Sequence, residues 1–408
     1  MNQDHREREV DADATPVPPL FILTFLFSVA TAVMWNGLGF VAKESYDFPE
    51  WLTFLLFVVN GCIYAVAAFG CGAVLRAVED RLSPRGLLAL VLVIQAVTAP
   101  LMGIANGPWA IWVVSIIFSI CSAGLWSMVE SYMSSGRHGR TMRTTIGWWN
   151  LCWMASNALG LAAMTIFMGS GNSRWSVAAL GPVCLLGTLM VFWFPARPAA
   201  HVASAPTGVG HDRLRPMLRS SRVMLPMSYV LIGALGPIMP YRLDDLSVGL
   251  EWVTPLTAIW LVTRVGMVFL MSHAHFWHGR WGSLGAAGTL MGIGFGLISV
   301  GPGIASVLWG LALLGIGQGI VYYSAIYYVL VLGNADVDAA GSHEGLIGVG
   351  YAAGPAAGLV GLFVGPALGI DNAIGWVVLF LAAGCAWPAV SPWWRSRRSR
   401  TGARSHLQ

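Results

Sequence analysis

One charged residue lies in the middle of an apolar stretch, where a charge is expensive. Arg264 is about twelve residues into the segment Trp252–Ser272, which is otherwise mostly hydrophobic. Charged side chains at such positions usually face a cavity or a partner. Arg264 is therefore a candidate contact for a substrate carboxylate or phosphate, or a partner for Glu130. The alternative is a side chain that extends toward the headgroups from about eight residues inside the helix end.

A second set of candidate binding residues combines aromatic rings with hydroxyl and amide groups inside apolar segments. Between Gln318 and Tyr328 they recur at spacings of four and five, which stacks them one turn apart on one side of a helix. Such a surface suits a neutral or weakly charged organic solute, although tryptophan and tyrosine also populate helix interfaces and headgroup belts. The candidates are Trp35, Asn36, Ser119, Ser122, Trp126, Asn150, Trp153, Asn157, Gln318, Tyr322, Tyr323, Ser324, Tyr327 and Tyr328.

Other chemistry has little support in the sequence. His273, His275 and His278 lie in a short loop without carboxylate or cysteine companions, so we expect no metal site. The absence of a Gly-Lys-Ser/Thr phosphate loop argues against an ATP-driven pump. We therefore expect no catalytic residues and no cofactor. No acid lies obviously deep in the membrane, because Glu130 and Glu344 are near helix ends, and both facilitated diffusion and ion coupling stay open.

The composition determines the class of protein that positions these residues. Of 408 residues, 56% are hydrophobic and 10% are charged, and the mean hydropathy is +0.67. Many apolar stretches could cross a hydrocarbon core of about 30 Å, where helices satisfy their own backbone groups. We predict an all-α polytopic membrane protein in a bacterial inner membrane. Its twelve predicted spans are Pro19–Ala42, Trp51–Leu75, Leu87–Ile104, Trp109–Ser135, Thr144–Met168, Ser176–Pro195, Val223–Arg242, Trp252–Ser272, Gly282–Val300, Ile304–Gly333, Glu344–Ile370 and Ala373–Val390.

The positions of the basic residues predict the topology. An even number of spans with both termini in the cytoplasm places 19 of the 23 lysines and arginines on the cytoplasmic side, as short basic loops prefer. The basic tail from Arg395 to Arg404 is explained by this topology and by anionic headgroups. We therefore expect the lipid bilayer, and no nucleic acid, as its partner.

A weak internal repeat with an offset of 201 residues divides the chain into two halves. Glu50–Thr53 matches Glu251–Thr254, and Ile146-Gly147 matches Ile347-Gly348. Six helices separate equivalent points, so the two halves have the same topology. The predicted divisions are an N-terminal cytoplasmic segment 1–18, a six-helix half 19–195, a linker 196–222, a second half 223–391 and a tail 392–408.

In topology and in two short motifs, the chain resembles the major facilitator superfamily. The sequence from Asp80 to Arg85 looks like the end of the superfamily's loop signature, with Ser83 and Pro84 replacing a glycine and a basic residue. Glu130 and Arg137 have six residues between them, which is similar to the Glu-x6-Arg pattern of the sugar-porter branch.

The resemblance implies a secondary active or facilitative transporter of a small organic solute that works by alternating access. It implies a central cavity between helices 1, 4, 7 and 10, and a cytoplasmic latch formed by Asp80, Arg81, Arg85, Glu130 and Arg137. A few exposed ion pairs suit this task, because each biases two states only modestly. Glu130 could instead offset positive charge at a helix end or carry a proton. A non-transporting membrane scaffold on the same fold is the alternative function.

Overall fold

Helices make up all the regular structure in the described part of the chain. The computed structural model describes residues 14–105, 107–137, 139–199, 211–274, 277–332, 337–384 and 386. Eleven of its helices are long and apolar enough to cross a membrane, and a twelfth is shorter. They are α1 (Val17–Tyr46), α2 (Glu50–Val78), α3 (Pro84–Ile104), α4 (Trp109–Ser134), α5 (Thr144–Met168), α6 (Arg174–Val191), α7 (Pro216–Asp245), α8 (Leu250–His273), α9 (Trp281–Val300), α10 (Ile304–Leu332), α11 (Val337–Leu368) and α12 (Ala373–Gly384).

The predicted polytopic all-α fold is confirmed, and differences are confined to helix ends. The helix that carries α7 begins at His211, inside the predicted linker 196–222. Its first turns are rich in arginine, so hydropathy alone could not recognise them as helical. Parts of three predicted segments lie outside the described residues. They are residues 1–13 of the segment 1–18, the end of the span Ala373–Val390, and the whole tail 392–408.

Helix α1 contains one turn of π-helix, Val33–Gly37, between two α-helical segments. A π-turn holds one more residue than an α-helical turn and often lies at a functional site. Trp35 and Asn36 are in this turn, and both are buried. The π-turn therefore determines how the first half of α1 is rotated relative to its last turns.

The two halves repeat the same helix pairs. In the N-terminal half α1 packs on α5, α2 on α4 and α3 on α4, and in the C-terminal half α7 packs on α11, α8 on α10 and α9 on α10. Each pair in the second half is the first-half pair moved on by six helices. The halves meet along α2 with α11 and along α5 with α8, two contacts that are equivalent under the repeat. This arrangement agrees with the internal repeat in the sequence.

Glycines allow α2 and α11 to approach closely over their length. A Cβ atom added to Gly348 would lie 2.7 Å from the backbone of Ala65, and one added to Gly61 would lie 2.5 Å from the backbone nitrogen of Ala352. These distances are well below van der Waals contact, so a side chain at either position would push the two helices apart. In a membrane, small residues at helix interfaces provide packing that the hydrophobic effect does not.

Hydrogen bonds join the two halves at one membrane face, which we call the opposite side because it lies away from the linker. The Tyr241 hydroxyl bonds to the Thr53 hydroxyl and donates to the Phe48 carbonyl, both at 2.7 Å. Lys43 forms an ion pair with Asp244 at 2.6 Å between nitrogen and oxygen. The Asp244 side chain is 70% exposed, so this pair contributes about 1 kcal/mol or less.

We expect Gly348→Ala to destabilise the protein by about 1–3 kcal/mol, because its methyl group overpacks the contact between α2 and α11. Gly70→Ala, in the partner helix α2, is the matched control, since nothing lies within 4 Å of its added Cβ. Melting temperatures in detergent provide the measurement. Equal melting temperatures for the two variants would contradict the tight contact.

We expect Tyr241→Phe to open the opposite side more often, because it removes two hydrogen bonds worth about 0.5–1.5 kcal/mol each. The measurement is the distance distribution between spin labels on the exposed residues Asn172 and Ser247, one in each half. Longer distances should gain population. Tyr46→Phe is the control, because the Tyr46 hydroxyl bonds to Met102 within one half; the same shift in both variants would refute the assignment.

Candidate functional site

A cavity of about 50 Å³ lies between the two halves. It has room for a few water molecules in this state, so a solute can enter only if the wall moves. Seven helices contribute to its wall, α1, α2, α4 and α5 from one half and α7, α10 and α11 from the other. Most of the lining residues are aromatic, and two are glutamates. They are Thr31, Trp35, Tyr64, Trp126, Glu130, Trp149, Trp153, Tyr229, Tyr322, Glu344, Ile347 and Tyr351.

The two glutamates of the wall come from different halves and meet in the cavity. Glu130 lies one turn before the end of α4, and Glu344 lies near the start of α11. Their carboxyl oxygens are within 4.8 Å of each other. The Tyr64 hydroxyl of α2 donates a hydrogen bond to Oε2 of Glu344. The cavity therefore holds a carboxyl pair that bridges the interface between the halves.

His343 is close to this carboxyl pair. Its ring offers a nitrogen within 4.8 Å of a carboxyl oxygen of each glutamate, so the three side chains could surround a divalent cation. One feature favours a proton site over a metal site. Glu344 already accepts a hydrogen bond from Tyr64 at Oε2, which uses one of the lone pairs that a metal would need.

Aromatic contacts across the interface close the cavity. The Trp35 ring stacks on Tyr351 with 4.3 Å between centroids and meets Tyr64 edge to face at 5.3 Å. Trp153 meets Tyr322 edge to face at 5.2 Å. Such pairs contribute about 0.5–1.5 kcal/mol beyond their buried area. Each could separate without leaving a polar group unbonded, which suits a wall that must open.

Two asparagines predicted as cavity residues instead hold the wall in place. The Asn150 side chain accepts from the Trp153 indole nitrogen at 2.9 Å and donates to the Ile146 carbonyl. Asn157 donates to the Trp153 carbonyl at 2.9 Å. Neither asparagine belongs to the cavity wall. Asn150 orients the Trp153 ring, whereas Asn157 bonds to the main chain of its own helix.

Arg264 is buried behind the aromatic wall, with 2% of its surface exposed. Its guanidinium carbon lies 4.3 Å from the Trp153 ring centroid and 5.4 Å from that of Tyr322. Nε and Nη2 have no hydrogen-bond partner among the described residues. The flat faces of the guanidinium are therefore covered by rings, while two of its nitrogens lack acceptors.

The remaining predicted cavity residues lie in several places. Trp35, Trp126 and Tyr322 line the cavity, and Ser119 lines a smaller neighbouring one. Asn36 is buried in the π-turn. The side chains of Ser122, Gln318 and Ser324 are buried without a partner within the described residues. Tyr323, Tyr327 and Tyr328 surround Trp277 instead, at centroid distances between 4.9 and 6.2 Å.

The predicted latch residues are not gathered in one cluster. Glu130 points into the cavity. Arg137 donates to the Met133 carbonyl at 2.8 Å and to the Tyr132 carbonyl, and so covers the last carbonyls of α4. Arg85 donates to the Phe194 carbonyl at 3.1 Å. Asp80 and Arg81 lie in the loop between α2 and α3. A latch made of all five residues therefore stays a prediction, and Glu130 is better explained by its cavity contacts.

A family comparison agrees with this architecture. A sequence model of the Major Facilitator Superfamily matches residues 20–359 of the chain. The chain belongs to the Major Facilitator Superfamily. It is an integral membrane protein and a transporter of small solutes, as the superfamily and the cavity between its halves both indicate. Among curated proteins, none has a sequence that matches this chain.

Solved structures of other Major Facilitator Superfamily transporters share the fold. The nucleoside transporter NupG is similar with a TM-score of 0.65 at 14% identity, covering 92% of this chain and 98% of its own. A POT family transporter in complex with a thioalcohol-conjugated peptide has a TM-score of 0.70 at 10% identity, with coverages of 92% and 96%. The human organic anion transporter MFSD10 has a TM-score of 0.62 at 16% identity, with coverages of 93% and 99%. At these identities the likeness shows the fold alone.

Several cavity residues of this transporter were missed from the sequence, although one signal was available. Glu344, Ile347 and Tyr351 are spaced three and four apart, so they share one face of α11. The same spacing relates Trp126 to Glu130 on α4. Tyr64, Trp149 and Tyr229 have no such marker, because each is a single aromatic residue within an apolar run.

We expect Arg264→Met to raise the melting temperature of the transporter in the absence of solute. Replacing an uncompensated buried charge by an apolar group is often stabilising, by about 1–4 kcal/mol. Arg242→Met is the control with the opposite sign, because Arg242 donates to the carbonyls of Ile298 and Gly301. A strongly lowered melting temperature for Arg264→Met would mean that the guanidinium has a structural partner.

Proposed function

We propose that this protein is a proton-coupled transporter and that the carboxyl pair of Glu130 and Glu344 is its proton site. The observation that carries the proposal is the closeness of these carboxyl groups, one from each half, whose oxygens lie within 4.8 Å of each other inside an aromatic cavity. The Tyr64 hydrogen bond to Glu344 supports it further.

Electrostatics favours a shared proton at this place. Two ionised carboxylates in contact repel each other, and the repulsion is strong where water is scarce. A proton between them replaces repulsion with a hydrogen bond, as in other sites where two carboxyl groups share one environment. The pair therefore holds a proton in this closed state.

Coupling follows from the position of the pair at the interface. Alternating access requires the two halves to move relative to each other, and that movement separates Glu130 from Glu344. The separated carboxyl groups no longer need the shared proton, so proton affinity depends on conformation. A site with different affinity in two states can shift the equilibrium between them, and this is the thermodynamic requirement for coupled transport.

The family match and the lining of the cavity favour a small organic solute over a scaffold function. The lining combines eight aromatic side chains with two carboxyl groups, which a solute with an apolar body and polar groups would contact once the wall opens. The similar structures include a nucleoside transporter, a transporter in complex with a conjugated peptide and an organic anion transporter. Nucleosides, peptides and organic anions are all organic molecules with polar groups. We expect the protein in a bacterial inner membrane with both termini in the cytoplasm, which leaves the proton gradient of that membrane available.

The test separates accumulation from exchange. Proteoliposomes are given a pH gradient and a radiolabelled solute chosen as the one that most raises the melting temperature among organic acids, nucleosides, dipeptides and sugars. Wild-type protein should accumulate the solute, and a protonophore should abolish accumulation. Glu130→Gln should keep solute exchange across the membrane but lose accumulation, because glutamine cannot release a proton.

Glu79→Gln is the matched control, since Glu79 is exposed in the loop after α2 and should leave both activities unchanged. Accumulation that persists in both Glu130→Gln and Glu344→Gln would refute the proton site. Addition of Zn²⁺ or of a chelator should have no effect. An effect that disappears in His343→Gln would favour a metal at the carboxyl pair.

A further inference from the structure

We propose that the substrate is a small organic anion whose carboxylate or phosphate group binds Arg264, and that it moves in the same direction as the proton. This inference rests on the proposed function for its coupling, but the anion site itself does not. It starts from a buried guanidinium in which Nε and Nη2 have no hydrogen-bond partner among the described residues.

An uncompensated buried charge is costly unless another group completes it. Arg264 is 2% exposed, and its neighbours within cation–π distance are the rings of Trp153, Trp260 and Tyr322. These rings stabilise the faces of the guanidinium and leave its in-plane N–H groups without acceptors. A carboxylate or phosphate binds arginine through those in-plane groups, in a bidentate geometry. The missing partner is thus an anion of this shape.

The guanidinium of Arg264 lies next to the cavity as well as within the packed helix interface. Trp153 and Tyr322, which contact it, both line the cavity. A small rotation of these rings would expose the N–H groups to a solute in the cavity. The same rings offer stacking surfaces to an aromatic or apolar body of that solute.

The carboxyl pair determines the sign of the coupling. Glu130 and Glu344 line the cavity, and Arg264 lies against Trp153 and Tyr322 of the same wall, so all three charged groups are close to one cavity. Ionised glutamates would repel an anion there, and protonation removes that repulsion. Anion and proton therefore bind cooperatively, and each raises the affinity for the other. Cooperative binding at one cavity produces symport.

The other titratable and charged groups near the carboxyl pair do not change the direction of the coupling between proton and anion. Tyr64 donates to Glu344, and Tyr351 lies in the same wall. His343 is beside both carboxyl groups, and Arg222 acts on His343. Protonation of His343 at low pH would add positive charge near the cavity. It would therefore favour the anion in the same direction as protonation of the glutamates.

The experiment uses three probes with one aromatic ring and different charge, namely phenylacetate, phenylacetamide and phenethylamine. Affinity for the full-length protein in detergent is measured by titration calorimetry between about pH 6 and about pH 8, where phenylacetate stays ionised. Phenylacetate should bind, and more tightly at the lower pH, while the amide and the amine should not. Phenyl phosphate, a fourth probe, should also bind at about pH 8, and the pH dependence is measured with phenylacetate because the second ionisation of a phosphate monoester is at about pH 6.

Three variants assign the effect to residues. Arg264→Gln should weaken phenylacetate binding by about 30-fold or more, as expected when one partner of a buried ion pair is removed. Glu130→Gln should bind phenylacetate at the higher pH as tightly as wild type does at the lower pH. Its affinity for phenylacetate should depend little on pH. Arg280→Gln, a change to an exposed arginine at the start of α9, is the control and should match wild type.

Each possible result bears on the proposal. Binding of the amine in place of the acid, unchanged affinity in Arg264→Gln, or no binding by either anion would overturn the anion site. If Arg264→Gln does not fold, the pH dependence in wild type and Glu130→Gln still decides. Anion binding that is independent of pH in wild type would retain Arg264 as the anchor and reject symport, which distinguishes failure of the coupling from failure of the site.

Discussion

The site depends on how closely two helices from different halves can approach. Helices α2 and α11 touch backbone to backbone where glycines face the partner helix, at Gly61 and Gly348. Tyr64 is three residues from Gly61, and Glu344 is four residues from Gly348. Their hydrogen bond exists because the backbones are that close. A wider separation would leave Glu344 without Tyr64 and would move it away from Glu130.

The arrangement of polar groups inside the membrane follows from one constraint. Lipid offers no hydrogen-bond partner, so a polar group there is stable only with a partner in the protein or in a ligand. Asn150 and Asn157 find theirs around Trp153, and Glu130 and Glu344 find each other. Arg264 is the charged group for which the described residues supply rings but no acceptor at two nitrogens. The cavity thus combines a carboxyl pair that is complete within the protein and a guanidinium that is incomplete without a ligand. Both properties are reasonable in a transporter that must bind and release.

The helices were predictable because bilayer thickness imposes a length on apolar segments, and their ends agree with the structure within a few residues at most positions. Arg264, Trp35, Trp126 and Trp153 stood out as polar or aromatic residues within such segments. The carboxyl pair did not, since Glu130 and Glu344 are more than 200 residues apart and each lies near a helix end. Which residues face each other across two halves depends on helix rotation and register, and a single sequence does not determine these.

The π-turn Val33–Gly37 has a consequence for how the length of α1 can change. One residue in a helix corresponds to a rotation of about 100°. The π-turn absorbs one residue beyond the regular α-helical count. Deleting one residue within it would therefore restore regular winding and leave later residues such as Lys43 facing Asp244 and the Pro240 carbonyl. The same deletion elsewhere in α1 would rotate everything after it by about 100°, so the π-turn is the place in α1 where a change of length should be tolerated best.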